Sequence, residues 1–329
     1  MVRKNKSQVP DPSGGAWPDL RSVVERLRQS REVTNKIRHR GIVRELPSRH
    51  ELSAVIDDIA AALFPTHYGR SDLTDESIDY FVGATLDRAL SDLREQVRRS
   101  LFLGAGETVP KDSGAARAGE VVRLFADALP GIRALLVEDL AAAYEGDPAA
   151  TSISEVLLCY PGFTAIVHYR LAHTLHYLGA PFISRLIASI AHSATGIDIH
   201  PAATIGAGFF IDHGTGVVIG ETAILGERVR LYQAVTLGAR RLPVGDGGKL
   251  VKDVKRHPII EDNVVIYAGA TILGRITVGR ESVIGGNVWL THSVPAGSIV
   301  TQAQMREVAD EDQLTRAAKP NGEASPPHP

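Results

Sequence analysis

Residues 199–235 read IHPAATIGAGFFIDHGTGVVIGETAILGERVRLYQAV, and residues 260–290 read IEDNVVIYAGATILGRITVGRESVIGGNVWL. In the first stretch Ile199, Ile205, Ile211, Val217, Ala223, Val229 and Val235 stand six apart, and Ile260, Ile266, Ile272, Val278, Ile284 and Leu290 resume the step. Every one except Ala223 is Ile, Val or Leu. Glycine keeps a six-step of its own at Gly208, Gly214, Gly220 and Gly226, where a residue without Cβ suits a corner. A helix would set its apolar residues near a period of 3.6, and a hairpin sheet would not hold one phase across a long gap. A hexapeptide period points to a parallel β-helix, in which each repeat forms one flat side and three sides close a triangular coil. Side chains about eighteen residues apart then lie one above the other, on coils roughly 4.8 Å apart.

Outside that stretch the chain reads as helix. Leu20, Val23, Val24 and Leu27 share one face, as do Leu52, Val55, Ile56, Ile59 and Leu63, and Ile78 to Val97 form a long amphipathic segment. Val121–Leu129 reads as one helix and Pro130 as the start of the next, because proline is tolerated in a first turn and not inside. Ser152 to Glu155 is a capping box, and Pro161 and Pro181 begin two further helices. The expected class is therefore α+β. A mobile arm at 1–17 precedes an α-helical domain at 18–195, a β-helix domain at 196–300 and a tail at 301–329. Val235 and Ile260 are one position out of phase, so about fifteen residues near 240–256 should leave the wall as a loop.

The 329 residues carry 44% apolar and 22% charged residues and a net charge of −2, ordinary for a soluble globular chain. That balance offers no basic footprint for nucleic acid. One cysteine, Cys159, excludes an internal disulfide, and no apolar run is long enough for a bilayer. The N-terminus has no apolar core of a secretory signal, so a cytoplasmic protein is expected.

Polar residues break the coil pattern at Asp198, His200, Asp212 and His213. His213 is flanked by Gly214 and Gly216, which leave room for a ligand, and Asp198 comes from a neighbouring side. An acid that accepts from one imidazole nitrogen frees the other to take a proton. No serine or cysteine stands beside His213, so the pair suits a general base that activates a bound hydroxyl for direct attack on an acyl group. In the loop, Arg256 next to His257 could grip a carboxylate with a fork of two hydrogen bonds. His168, His173 and His176 share a helix without i,i+4 spacing and read as structural.

Asp147-Pro148-Ala149, GFTAIVHYRLAH (162–173), GIDIHPAATIGAGFFIDHGTGVVIGETA (196–223), QAVTLGA (233–239), RHPIIEDNVVIYAGATILG (256–274) and VIGGNVWLTHSVP (283–295) together resemble serine O-acetyltransferase. The likeness covers roughly 140–300. It implies a left-handed parallel β-helix after a helical domain, and transfer of acetyl from acetyl-CoA to L-serine, giving O-acetylserine for cysteine biosynthesis. By the same match His213 is the general base and Asp198 its orienting acid; Asp147 and Asp212 hold the substrate ammonium, and Arg256 and His257 meet its carboxylate. Gly238, Ala239, Ala268 and Gly269 lie where the family places pantetheine and CoA, and no metal is implied. Homotrimers or dimers of trimers, with sites between protomers, are expected.

The chain departs from the family pattern in a longer loop from Arg240 to Lys255, in Ala239 where many members have glycine, and at its end. The family tail that docks into cysteine synthase ends in isoleucine and this chain in Pro329, so the likeness does not extend to that partnership. Other readings are an acyltransferase of this fold acting on phosphoserine, a sugar or a xenobiotic, a trimeric metalloenzyme of the γ-carbonic anhydrase kind using His200, His213 and His257, and a non-catalytic scaffold.

Overall fold

The computed structural model describes residues 20–33, 45–101, 111–240, 251 and 254–302; the arm at 1–17, most of the loop and the tail lie outside them. The chain separates into two compact units, 1–45 and 46–329. In the first, α1 (Leu20–Val33) is an amphipathic helix. In the second, α2 (Arg49–Leu63), α3 (Pro65–Tyr68), α4 (Ile78–Leu101), α5 (Lys111–Gly146), α6 (Ile153–Cys159), α7 (Pro161–Tyr177) and α8 (Pro181–Thr195) precede the strands.

The sequence led us to expect a helix break at Pro130, and the structure has none: α5 runs 36 residues straight through it. Val121, Phe125, Leu129, Ile132, Leu136 and Leu140 are all buried and keep one helical phase across the proline. Pro130 itself faces solvent, where water can satisfy the carbonyl that loses its N–H partner. Burial of the continuous stripe outweighs the missing hydrogen bond. Ser152 caps α6 by accepting from the Glu155 N–H at 3.1 Å, and the Glu155 carboxylate reaches back to the Thr151 N–H at 2.8 Å, one residue before the cap, so the expected capping box forms in its first half and is shifted by a residue in its second.

Among the described residues fourteen short strands follow, and all pair in parallel into three faces. The first face stacks β1 (Asp198–Ile199), β4 (Val218–Ile219), β7 (Thr236–Gly238), β10 (Thr271–Leu273) and β13 (Trp289–Leu290). The second stacks β2 (Thr204–Ile205), β5 (Ile224–Leu225), β8 (Ile259–Ile260) and β11 (Thr277–Val278). The third stacks β3 (Phe210–Ile211), β6 (Arg230–Leu231), β9 (Val265–Ile266), β12 (Val283–Ile284) and β14 (Ile299–Val300). Ile199, Ile219, Leu237, Ile272 and Leu290 form one buried inward column.

That column corrects the eighteen-residue register in the first coil. Ile199 pairs with Ile219, twenty positions on, although Ile219 to Leu237 is eighteen. The two extra residues lie between Ile211 and Ile219, at the corner that carries His213. Each side has two buried positions two apart, Val217 and Ile219 for example, so the six-step passes from one to the other and hides the insertion. Leu225 pairs with Ile260, thirty-five positions on, so seventeen residues rather than fifteen leave the wall between β7 and β8.

The helices dock on the first coil through polar contacts to its backbone. Arg170 on α7 makes a two-pronged ion pair with Asp139 on α5, both distances 2.9 Å, and also donates to the carbonyls of Ile205 and Gly206. Asp139 in turn accepts from the Phe209 N–H at 2.8 Å, and both side chains are buried. At the start of α7, a Cβ on Gly162 would stand 2.1 Å from the Ile211 carbonyl oxygen, so only glycine lets the helix approach β3 this closely. One hydrophobic core runs unbroken from Leu52 to Val300.

Candidate active site

His213 occupies the corner between the third and first faces, directly after β3. Its backbone sits at φ 59°, which five other non-glycine residues share, so the conformation belongs to coil corners and does not by itself mark function. Its side chain is 73% exposed, so the ring does not point inward among the aliphatics. Nε2 stands 3.6 Å from Asp212 Oδ1, and the other Asp212 oxygen accepts from Arg230 at 3.0 Å. Asp198 makes no hydrogen bond or ion pair with His213 among the described residues. It lies on β1, one coil from the His213 corner, which the Gly216 N–H ties down through the Gly196 carbonyl at 2.9 Å.

Asp147, just past the end of α5, comes to the same corner. Its carboxylate accepts from the Tyr160 hydroxyl at 2.6 Å and from the Ala149 N–H at 2.8 Å. The Tyr160 bond is the main reason its carboxyl titrates below the usual range, and Arg230 and His213 are near enough to add to the effect. The structure therefore gathers Asp147, Asp212 and His213.

Arg230, Tyr160 and Tyr232 complete this corner and were not singled out in the sequence. The Arg230 guanidinium lies over the rings of Phe210 and Tyr232, with centroids at 5.0 and 4.7 Å, and its Nε is buried with no hydrogen-bond partner among the described residues. Tyr232 stacks on Tyr267 at 4.9 Å. The available signal was register: Phe210 faces Arg230 across the β3–β6 ladder, but that pairing spans the hidden insertion.

Arg256 and His257 stand elsewhere, at the corner between the first and second faces. Arg256 Nη2 pairs with Glu221 at 2.5 Å. His257 Nδ1 accepts from the Thr222 N–H at 3.0 Å, which leaves Nε2 to carry the ring proton. Burial first, then the Arg256 charge, pushes this imidazole down to about 4. Its ring lies across Gly220, where a Cβ would meet Cδ2 at 2.1 Å. His200, on the same corner two coils earlier, is also held at about 4, by burial and by Arg185. The four expected CoA residues divide likewise. Ala268 and Gly269 lie on the His213 corner, and Gly238 and Ala239 on the Arg256 corner. The three histidines of the metalloenzyme reading are split between the corners too, and no metal-binding group of three His, Cys, Asp or Glu occurs among the described residues.

Chemically, an exposed imidazole near carboxylates can take up a proton and an Arg–His pair can hold a carboxylate, and here the two stand on different corners of the coil. The sequence matches the family models "Serine acetyltransferase, N-terminal" over residues 108–167 and "Bacterial transferase hexapeptide (six repeats)" over 257–292. It is 58% identical over 266 residues to the plasmid serine acetyltransferase of Synechococcus elongatus, covering 79% of this chain and 83% of that one. The chain belongs to the serine acetyltransferase family. The serine acetyltransferase of Mycobacterium tuberculosis is 47% identical over 162 residues, 49% of this chain and 67% of its own. Among solved structures, Entamoeba histolytica serine acetyltransferase 1 in complex with L-cysteine superposes with a TM-score of 0.66 at 33% identity, covering 85% of this chain and 98% of that one. Serine acetyltransferase of Neisseria gonorrhoeae in complex with serine gives a TM-score of 0.50 at 29% identity, over 76% and 94%. Membership makes the chain an acyltransferase with a left-handed coil. No helix among the described residues is long and apolar enough to cross a membrane.

Proposed function

We propose that this enzyme transfers the acetyl group of acetyl-CoA to the hydroxyl of L-serine in one direct step, with His213 as general base. The observation that carries the mechanism is the solvent-open imidazole with Asp212 at 3.6 Å and Asp147 on the same corner, with no serine or cysteine beside it. The substrate ammonium lies between the carboxylates of Asp147 and Asp212. Its carboxylate meets Arg256 and the Nε2–H of His257. Because those two stand on another corner of the same prism, they come from a neighbouring copy, which makes the working form a trimer or a dimer of trimers. Neutral His213 takes the hydroxyl proton as the serine oxygen attacks the thioester carbon, and backbone N–H groups steady the oxyanion. Collapse expels the CoA sulfur, which receives the proton from His213, and O-acetylserine leaves for cysteine synthesis.

Asp198 is the proposed orienting acid, reached when the exposed ring turns toward the neighbouring coil. The pantetheine arm passes Gly238, Ala239, Ala268 and Gly269. L-Cysteine, held by the Entamoeba relative, differs from serine by one atom and fits the same pocket as an inhibitor. A single unpaired cysteine, Cys159, suits a cytoplasmic enzyme.

Thiol release from acetyl-CoA, followed with L-serine, phosphoserine and sugars, tests the reading. Serine should be the preferred acceptor, and His213→Ala should lower kcat by about 10²- to 10⁴-fold with an unchanged melting temperature. Full turnover in the variant would remove the base, and turnover with a sugar but not serine would remove the substrate.

A further inference from the structure

The length of α5 brings Asp147 to the His213 corner, and a second set of contacts holds its carboxylate there. The last residue of α5, Gly146, abuts the Phe210 ring, where an added Cβ would stand 3.0 Å from a ring carbon. The second residue of α7, Gly162, rests on the carbonyl of Ile211, the next residue of β3. Asp212 and His213 follow directly. One helix thus ends, and another begins, against the strand that leads into the corner.

Tyr160, immediately before α7, ties the two helix ends together. Its hydroxyl donates to Asp147 Oδ2 at 2.6 Å, and the Ala149 N–H holds the other oxygen at 2.8 Å. The main chain around the acid is fixed as well. The Asp147 N–H donates to the Ala143 carbonyl and the Ala150 N–H to the Asp147 carbonyl, both at 3.1 Å. Among the described residues the Tyr160 hydroxyl is the only hydrogen-bond donor to that carboxylate from outside the turn. A short O–H···O bond to a charged oxygen is of the stronger kind, and it uses one lone pair while leaving others for a ligand. The Tyr160 ring packs half-buried against the core, and its carbonyl accepts from the Thr164 N–H at 3.2 Å. Phenylalanine would keep both, so the hydroxyl is separable from the fold.

We infer that Tyr160 is a positioning residue for the acceptor: its hydroxyl fixes the Asp147 carboxylate against the corner and so sets its spacing from Asp212. The inference rests on the proposed contact of these two acids with the serine ammonium. Without the hydroxyl the carboxylate turns freely about its side-chain bonds, and each binding event must then order it at an entropic cost.

Steady-state kinetics of the full-length enzyme with Tyr160→Phe, Asp147→Asn and the double variant test this. Tyr160→Phe should raise the serine KM about tenfold and leave kcat and the acetyl-CoA KM unchanged. Asp147→Asn should raise the serine KM by more. Adding Tyr160→Phe to that variant should raise it no further, because the hydroxyl acts through the carboxylate. Inhibition by 3-hydroxypropanoate, which keeps the hydroxyl and carboxylate of serine and lacks the ammonium, should be the same in wild type and Tyr160→Phe. A Tyr160→Phe variant that weakens both ligands equally, or loses kcat and acetyl-CoA affinity together with serine affinity, overturns the inference. So does a further rise of similar size in the double variant. If Asp147→Asn weakens serine and Tyr160→Phe does not, the positioning role falls alone. If neither does, the ammonium contact of Asp147 falls and takes the positioning role with it.

Discussion

Arg230 shows how a single residue can tune a site that sequence motifs locate. Held over two aromatic rings and paired with Asp212, it fixes one carboxylate oxygen and leaves the other aimed at His213. Arg230→Met should raise the KM for serine about tenfold and leave that for acetyl-CoA unchanged, as steady-state kinetics would show. Asp198→Asn and Asp212→Asn separate two proposed roles: loss of the proposed orienting acid should lower kcat, and loss of the proposed ammonium partner should raise the serine KM. His213 was legible because Asp212 precedes it and Gly214 and Gly216 follow it along the chain, a polar break in an otherwise apolar coil pattern. Arg230 was not, because its neighbours come from another coil. His257 and His200 contribute to pH dependence with a definite sign. Both are held near 4, below the ordinary 6.5 for histidine, so the unfolded chain binds more protons between those values. Their contribution is complete above about pH 6.5 and is lost as pH falls through 4, so melting temperatures should drop over that interval. His257→Gln should flatten the drop.

At the scale of elements, α5 and α7 decide where the site acids stand. α5 ends at Gly146, and Asp147 follows, so the length of this helix sets that carboxylate's position beside the coil. Pro130→Ala restores a backbone donor in an exposed interior position and should stabilise the protein by about 1–3 kcal/mol, seen as a higher melting temperature. Gly162→Ala should do the reverse. Its Cβ would press on the Ile211 carbonyl, forcing α7 off β3 at a cost of about 2–4 kcal/mol, and the displaced Tyr160–Asp147 pair should lower activity as well. The six-step revealed the β-helix because it is local. It concealed the two-residue insertion because paired inward positions allow the period to change column without breaking.

Across the whole molecule, the helices and the coil share a core and are joined by Asp139, Arg170 and the backbone of the first coil. Removing one partner, as in Asp139→Ala, leaves a buried guanidinium unpaired and should cost about 3–5 kcal/mol in denaturant unfolding. The division of the proposed site residues between two corners has a consequence for the proposed assembly. Inactive His213→Ala and His257→Ala chains, mixed by co-refolding, should regain activity. Random trimers would restore about a quarter of the sites. No recovery in mixed trimers of confirmed composition would show that each site belongs to one chain.

The sequence by itself determined the triangular coil, the helical region before it, the family and most of the residues offered for chemistry, since periodicity and short motifs depend on neighbours along the chain. Only the tertiary structure decided that α5 continues through Pro130, that the His213 corner is enlarged, and that Arg230 stands beside Asp212. It alone separated Arg256 and His257 from His213 by a full side of the prism. Those facts depend on which coils stack and which surfaces are buried, and that is settled by packing between residues far apart in sequence.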